Sequence, residues 1–280
     1  MADLIDLTEW TREDLTALFA RADDYARGHG GHHSGAAGLW FNGAPSVSNL
    51  ALERAVGMLG MQPIHCEPVL SEPFVEPGSD EWGEQLAQLA SWLDLLILSD
   101  DDGSVIAQAT STVSVPVVNA GSFQGRPCEL LGELHALHAM GRELFTQRIV
   151  LVGPSCPSVR SWAEARAAFG LDIVQACPDE LADPGLAHNS NLFAALRGAD
   201  LVITVEPGEF GEQMAPYRIE PEYLVVTAPD CRVSPQLPFR WDREVATQLR
   251  EGPHGWVGPG FRSQLVALDQ AVLAGCLGRS

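Results

Sequence analysis

FNGAPSVSNLALERAVGMLG, residues Phe41 to Gly60, is the stretch on which the fold turns. Its first residue closes an apolar run of strand length, Leu39 to Phe41, and a Gly/Pro/Ser loop over Asn42 to Asn49 leads into a helix. Strand, loop and helix in that order form the repeating step of a parallel α/β sheet, where ligands gather beyond the carboxyl ends of the strands. Ser46, Ser48 and the free backbone N–H groups of the helix that follows could hold a weak anion there.

The same alternation runs outward along the chain. Thr11 followed by Asp14 makes a capping-box start, and Leu15, Leu18, Phe19 and Ala22 recur at helical spacing to about Arg27. The apolar runs predict strands at Leu39–Phe41, Pro63–Cys66, Leu95–Leu98, Val115–Val118, Ile149–Val152, Ile173–Ala176, Leu201–Val205 and Tyr223–Thr227. Helices are predicted at Trp82–Trp92, Cys128–Met140, Ser158–Phe169, Leu192–Leu196, Arg243–Leu249 and Arg262–Leu277. Alternation of this kind predicts an α/β fold with parallel sheets and helices on both faces. The long helix Cys128–Met140 falls midway between two sets of strands and is the natural bridge between two lobes, 1–140 and 141–280. The ligand loops would be Asn42–Asn49, Ser99–Gly103, Asn119–Cys128, Gly153–Ser158, Glu206–Gly211 and Ala228–Val233.

Composition narrows the chemistry. The 280 residues are 46% hydrophobic, and no apolar run approaches the roughly 18 residues a membrane span needs, so a soluble globular protein is expected. The opening MADLIDLTEW lacks a basic region and an apolar core, which predicts no secretory signal and a cytoplasmic location. All 17 basic side chains are arginine, which removes Schiff-base and P-loop lysine chemistry. A net charge of −20 repels polyanions, so neither nucleic acid nor an anionic membrane is an expected partner. The six cysteines show no CxxC spacing and read as reduced thiols; neither a cofactor nor a metal is assigned.

The order of motifs resembles the aspartate and ornithine carbamoyltransferases over nearly the whole chain. VPVVNAG, Val115 to Gly121, closely matches the family's V-P-V-I-N-A-G, and LTEWTREDLTALFARA resembles its first helix. Leu130, Leu131 and Glu133 follow its L-L-D pattern. The family's F-x-x-[AP]-S-T-R-T-R-x-S-F-E-x-A-x-x-x-L-G is kept at Glu53, Ala55, Leu59 and Gly60, but its two arginines, which hold the phosphate of carbamoyl phosphate, are Val47 and Asn49. The resemblance implies two doubly wound parallel-sheet lobes joined by a bridging helix. It further implies a carbamoyl-phosphate-binding first lobe, an amino-acid-binding second lobe, a last helix packing back on the first, and a homotrimer.

Departures recur where the family touches ligand. Arg126 and Glu129 stand at its His and Gln, Ser99 at an arginine, Gly78–Asp80 at its K-G-E loop, Pro154 at the Asp of V-G-D, and Glu206 at a second arginine. Its H-P-L-P-R or H-C-L-P loop is matched weakly by Ala228 to Arg232. Each charge-assisted hydrogen bond is worth roughly 1.5–3 kcal/mol, so losing several removes most of what holds a phosphate.

The candidate catalytic residues are therefore Arg126, Cys128, Glu129 and Glu206, with the two glutamates as acid or base. Ser46, Ser48, Asn49, Ser99, Asn119, Cys231, Arg232 and His254 are the candidate substrate contacts. Bland readings stand beside these: Cys128, Cys156 and Cys231 as small apolar fillers, Asp100–Asp102 as a turn and helix cap, His135 and His138 as a packed or solvated helix face, and His29, His32 and His33 as a Gly-rich loop. Three functions follow. One is a repurposed biosynthetic enzyme acting on a small amino-acid-like substrate between the lobes. The alternative is a pseudoenzyme with a structural or regulatory role beside a partner enzyme, and residual carbamoyl transfer is a third.

Overall fold

A computed structural model describes residues 3–42, 46–67, 70, 75–101, 103–251 and 256–278. Pro45, Asp102 and His254 lie outside the described residues. The chain divides into two compact units, Met1–Ala136 with Arg262–Ser280, and Leu137–Phe261.

The first unit opens with α1 (Arg12–Ala26), started by the expected capping box. The Asp14 N–H donates to Thr11 Oγ1 at 3.2 Å, and the Thr11 N–H donates to the Asp14 carboxylate at 2.9 Å, so two end-of-helix donors are satisfied together. Leu15, Leu18, Phe19 and Ala22 are buried, as their spacing predicts. Then β1 (Ala36–Phe41), α2 (Val47–Leu59), β2 (Gln62–His65), α3 (Asp80–Ala90), β3 (Leu95–Asp100), α4 (Ser104–Thr112), β4 (Val117–Ser122) and α5 (Pro127–Ala139) alternate. The four strands pair in parallel in the order β2-β1-β3-β4. Every residue of β4 and most of β1 and β3 is buried, the pattern of strands covered on both faces. One core is anchored by Trp40 and Trp82, whose indole N–H groups both donate to the Leu70 carbonyl, at 3.1 and 3.0 Å, with their rings 5.8 Å apart edge to face. The last helix, α9 (Leu265–Cys276), packs on α1 and α2 within this unit.

In the second unit β5 (Arg148–Val152), α6 (Pro157–Phe169), β6 (Asp172–Ala176), β7 (Ala187–His188), α7 (Leu192–Ala195), β8 (Leu201–Thr204), α8 (Gly211–Met214) and β9 (Arg232–Pro235) follow one another. Their parallel sheet runs β7-β6-β5-β8-β9. The change of unit falls inside α5, between Ala136 and Leu137, and the chain re-enters the first unit at Arg262.

Several expectations need correction. Tyr223–Thr227 is not a strand: Pro221–Val226 is a 3-10 helix that buries Leu224 and leaves Val225 76% exposed. The sheet position beside β8 belongs to β9, an edge strand on which Pro235 faces away from β8 and so costs no ladder bond. Arg243–Leu249 is a turn leading to a short 3-10 helix, Thr247–Arg250. The strand expected at Val115–Val118 lies at Val117–Ser122, so Asn119 to Ser122 belong to β4 and not to the loop after it. Helix α4 is not among the helices predicted by range, although the helix-cap reading of Asp100–Asp102 implies a helix start there.

Candidate functional site

In the first unit the carboxyl ends of β1, β3 and β4 lie side by side, because the sheet is parallel. The Asn42 N–H donates to the Ser99 carbonyl at 3.0 Å, tying the loop before α2 to the end of β3. Ser46 caps α2, its hydroxyl oxygen accepting from the Asn49 N–H at 3.1 Å. Val47 is 53% exposed, Ser48 is half-buried, and Asn49 is buried with its Oδ1 lacking a hydrogen-bond partner. Asp100, 2% exposed, accepts from the Val105 N–H at 2.8 Å and so starts α4, which is the helix-cap reading of that residue.

A shift in register between Leu98 and Ser99 brings Ser99 opposite Gly121, whose φ of 152° favours glycine. Asn119 is fully engaged. Its Nδ2 donates to the Ile5 carbonyl at 2.9 Å and to Ser122 Oγ at 3.2 Å, and its Oδ1 accepts from the Gly121 N–H at 2.9 Å. Asn119 therefore shapes the loop that delivers Arg126 to the start of α5.

Arg126 Nη1 lies 3.6 Å from Glu129 Oε2 one helical turn on, with the arginine 42% and the glutamate 16% exposed at their side chains. Burial raises the Glu129 carboxyl above its ordinary range; Arg126 opposes this, Glu133 adds to it and Arg262 opposes it. Glu133, one turn further, is fully buried and accepts from Arg262 Nε at 2.8 Å. Cys128 lies on the inner side of the same helix. Its Sγ donates to the Asn119 carbonyl at 3.4 Å, and burial first, then Asp269 and Cys276, hold the thiol protonated well above its usual range. That describes a small apolar filler and not a thiolate. His135 is buried too, 3.4 Å from Asp23 and tilted against Phe19, which is the packed-face reading. Among the described residues no group of three or more His, Cys, Asp or Glu is placed to hold a metal ion.

In the second unit, Glu206 is exposed just past the end of β8. Cys231 and Arg232 are elsewhere: Arg232 pairs with Leu201 at the amino end of β8, so both stand at the end of the sheet opposite Glu206. The cause is the mistaken strand. With β9 at Arg232–Pro235, the loop at its carboxyl end begins at Gln236, and Leu237–Pro238 in it resembles the Leu-Pro pair of the carbamoyltransferase loop. Cys231 is fully buried, with its thiol pushed up to about 11 chiefly by burial.

Gly153 and Ser158, the bounds of one expected ligand loop, stand at the carboxyl ends of β5, β8 and β9 with Thr204 and Gln236, which are not among the candidate contacts. Gly153 follows β5, and a Cβ there would stand 2.8 Å from Val205 Cβ. Ser158, near the start of α6, donates to Gln236 Oε1 at 2.9 Å. Gln236 Nε2 and Thr204 Oγ1 are buried with no hydrogen-bond partner. The Leu-Pro pair was the signal that would have found Gln236.

Two parallel α/β sheets in one chain, each with its polar residues at the carboxyl ends of its strands, define the class. No protein-family model matches the chain. It is similar to an ornithine carbamoyltransferase of Desulfotalea psychrophila, 25% identical over 297 residues that cover 96% of this chain and 93% of that protein. Its fold is that of ornithine carbamoyltransferase from Pyrococcus furiosus, with a TM-score of 0.87 at 17% identity, covering 98% of this chain and 96% of that one. The enzyme from Gloeobacter violaceus superposes with a TM-score of 0.86 at 22% identity over 99% of both chains. The chain is thus similar in sequence to ornithine carbamoyltransferases and has their fold. None of its described helices is long and apolar enough to cross a membrane.

Proposed function

We infer that this chain is a divergent carbamoyltransferase-fold enzyme that no longer holds carbamoyl phosphate and acts on a small amino-acid-like substrate. The observation that carries this reading is the start of α2. Positions that bear arginine in the family pattern are an exposed Val47 and a buried Asn49, leaving only neutral donors among the described residues of that turn: the Ser46 and Ser48 hydroxyls, the Asn49 amide and the helix N-terminus. A helix terminus alone contributes on the order of 0.3–1 kcal/mol toward an anion, too little to replace two guanidiniums. In their place α5 offers Arg126 beside Glu129, a cation next to a carboxyl whose raised pKa suits it to hold and release a proton. Such a pair fits a carboxylate or neutral substrate better than a phosphate.

Retained carbamoyl transfer is the second reading, and the ornithine carbamoyltransferase relatives favour it over a pseudoenzyme. The two are separated by incubating the purified protein with carbamoyl phosphate and ornithine and measuring citrulline. The first reading expects none, together with saturable binding of an amino or dicarboxylic acid that Arg126→Ala weakens. Citrulline formation would establish the second. A homotrimer is proposed from the resemblance, and sedimentation of the purified chain tests it.

A further inference from the structure

A cavity of about 170 Å³ lies wholly inside the second unit, beside the carboxyl end of β8. Val152, Val205 and Met214 give it apolar walls, and Thr204 and Glu244 supply polar ones. It is large enough for a small organic molecule and not merely one water. Arg218 and Arg243 also line it; their side chains are 42% and 32% exposed and mark its mouth.

The polar groups define what fits. Thr204 is 2% exposed and Glu244 7%, and both Thr204 Oγ1 and Glu244 Oε1 lack a hydrogen-bond partner. Buried polar atoms are satisfied in the great majority of cases, and each one left bare costs about 1–3 kcal/mol. The other carboxylate oxygen of Glu244 is taken, accepting from the Arg240 N–H at 2.8 Å. The first oxygen therefore waits for a donor, while the threonine hydroxyl can donate.

Charge decides between ligand classes. Arg243 Nε stands 3.7 Å from Glu244 Oε1, so the carboxylate already has its countercharge at ion-pair range without a hydrogen bond. Arg218 is held by Glu220 and by the Asp242 carbonyl, and the Asp242 carboxylate by the Thr247 N–H and hydroxyl. An entering cation would meet Arg243, and an entering anion would meet Glu244. A neutral group with N–H donors on one side and a carbonyl on the other meets neither penalty.

We propose that this cavity binds the primary amide or ureido head of a small neutral molecule, its N–H groups donating to Glu244 Oε1, its carbonyl accepting from Thr204 Oγ, and a short aliphatic stem lying against Val152, Val205 and Met214. The site rests on residues of the second unit alone and stands whether or not the reading of the first unit is correct.

Calorimetric titration of the full chain with butyramide, N-propylurea, n-butylammonium, butyrate and norvaline tests it. Butyramide or N-propylurea should bind saturably, and the three charged probes should bind at least about tenfold more weakly. The near-isosteric Thr204→Val should weaken the neutral probes about tenfold, and Met214→Trp, which fills the cavity, should abolish their binding. Circular dichroism establishes that each variant is folded; should one fail to fold, the ranking of the five probes on the unaltered chain decides alone. Tighter binding of any charged probe, binding of none, or neutral-probe binding that a folded Thr204→Val leaves unchanged would overturn the proposal.

Discussion

Arg262 Nε donates to Glu133 Oε1 at 2.8 Å, and the carboxylate that accepts is fully buried on α5. This ion pair fastens the segment by which the chain re-enters the first unit just ahead of α9. Removing the arginine alone leaves a buried charge, so Arg262→Ala should cost about 3–5 kcal/mol. Replacing both partners by methionine should cost far less. Urea melts of the single and double variants check the difference.

Asp269 on α9 is 1% exposed, neither oxygen has a hydrogen-bond partner, and burial raises its pKa well above the carboxylate range. The folded state therefore keeps a proton that the unfolded chain gives up. Its favourable contribution is fully present below the unfolded pKa and is lost as pH rises through the folded one, at about 1.4 kcal/mol per pH unit between the two. Asp269→Asn has no such dependence. The stability gap between variant and parent should widen in favour of asparagine as pH rises above the ordinary carboxylate range and level off above the raised folded pKa, and urea midpoints at several pH values read it out.

Glu129 is raised by burial and held back by Arg126. In Arg126→Ala the opposing charge is gone, so the Glu129 carboxyl should titrate at a still higher pH than in the parent. NMR titration of labelled glutamate carboxyls measures this. A downward move would show that Arg126 does not face Glu129 in solution.

Trp40 and Trp82 share one acceptor, the Leu70 carbonyl. Trp82→Phe keeps much of the ring volume but removes one donor and leaves a small gap, and should cost about 1–3 kcal/mol. Trp82→Ala should cost about 3–5 kcal/mol. Thermal or urea denaturation gives both values.

Much of the fold is legible in the sequence because its strands are buried on both faces. Leu95–Leu98, Ile149–Val152 and Leu201–Val205 are apolar runs with no competing signal, and the Thr11/Asp14 box marks its helix from local chemistry alone. Tertiary context decided the rest. Tyr223 to Val226 has β-forming side chains but follows Pro221 in a 3-10 turn, while the true edge strand, Arg232–Pro235, carries an arginine, a serine and a proline. Helix α4, SVIAQATST, has a weak pattern of its own and is started by a cap from Asp100 on the preceding strand. The displaced strand moved the candidate loop from Ala228–Val233 to the residues after Pro235, so Cys231 and Arg232 were named and Gln236 was not. In the first unit β1 and β2 end within one residue of the expected ends while β3 and β4 run two and four residues further, and Arg126 lies 3.6 Å from Glu129 one helical turn on.

The start of α2, with Val47 and Asn49 where the carbamoyltransferase pattern has arginines, is proposed no longer to hold the phosphate of carbamoyl phosphate. Thermal denaturation of the purified chain against rising carbamoyl phosphate and inorganic phosphate tests it directly, because a ligand that binds only the folded state raises the midpoint as its concentration passes Kd. A flat response to both through the millimolar range is expected. A saturable rise with carbamoyl phosphate, with citrulline formed once ornithine is added, would contradict it.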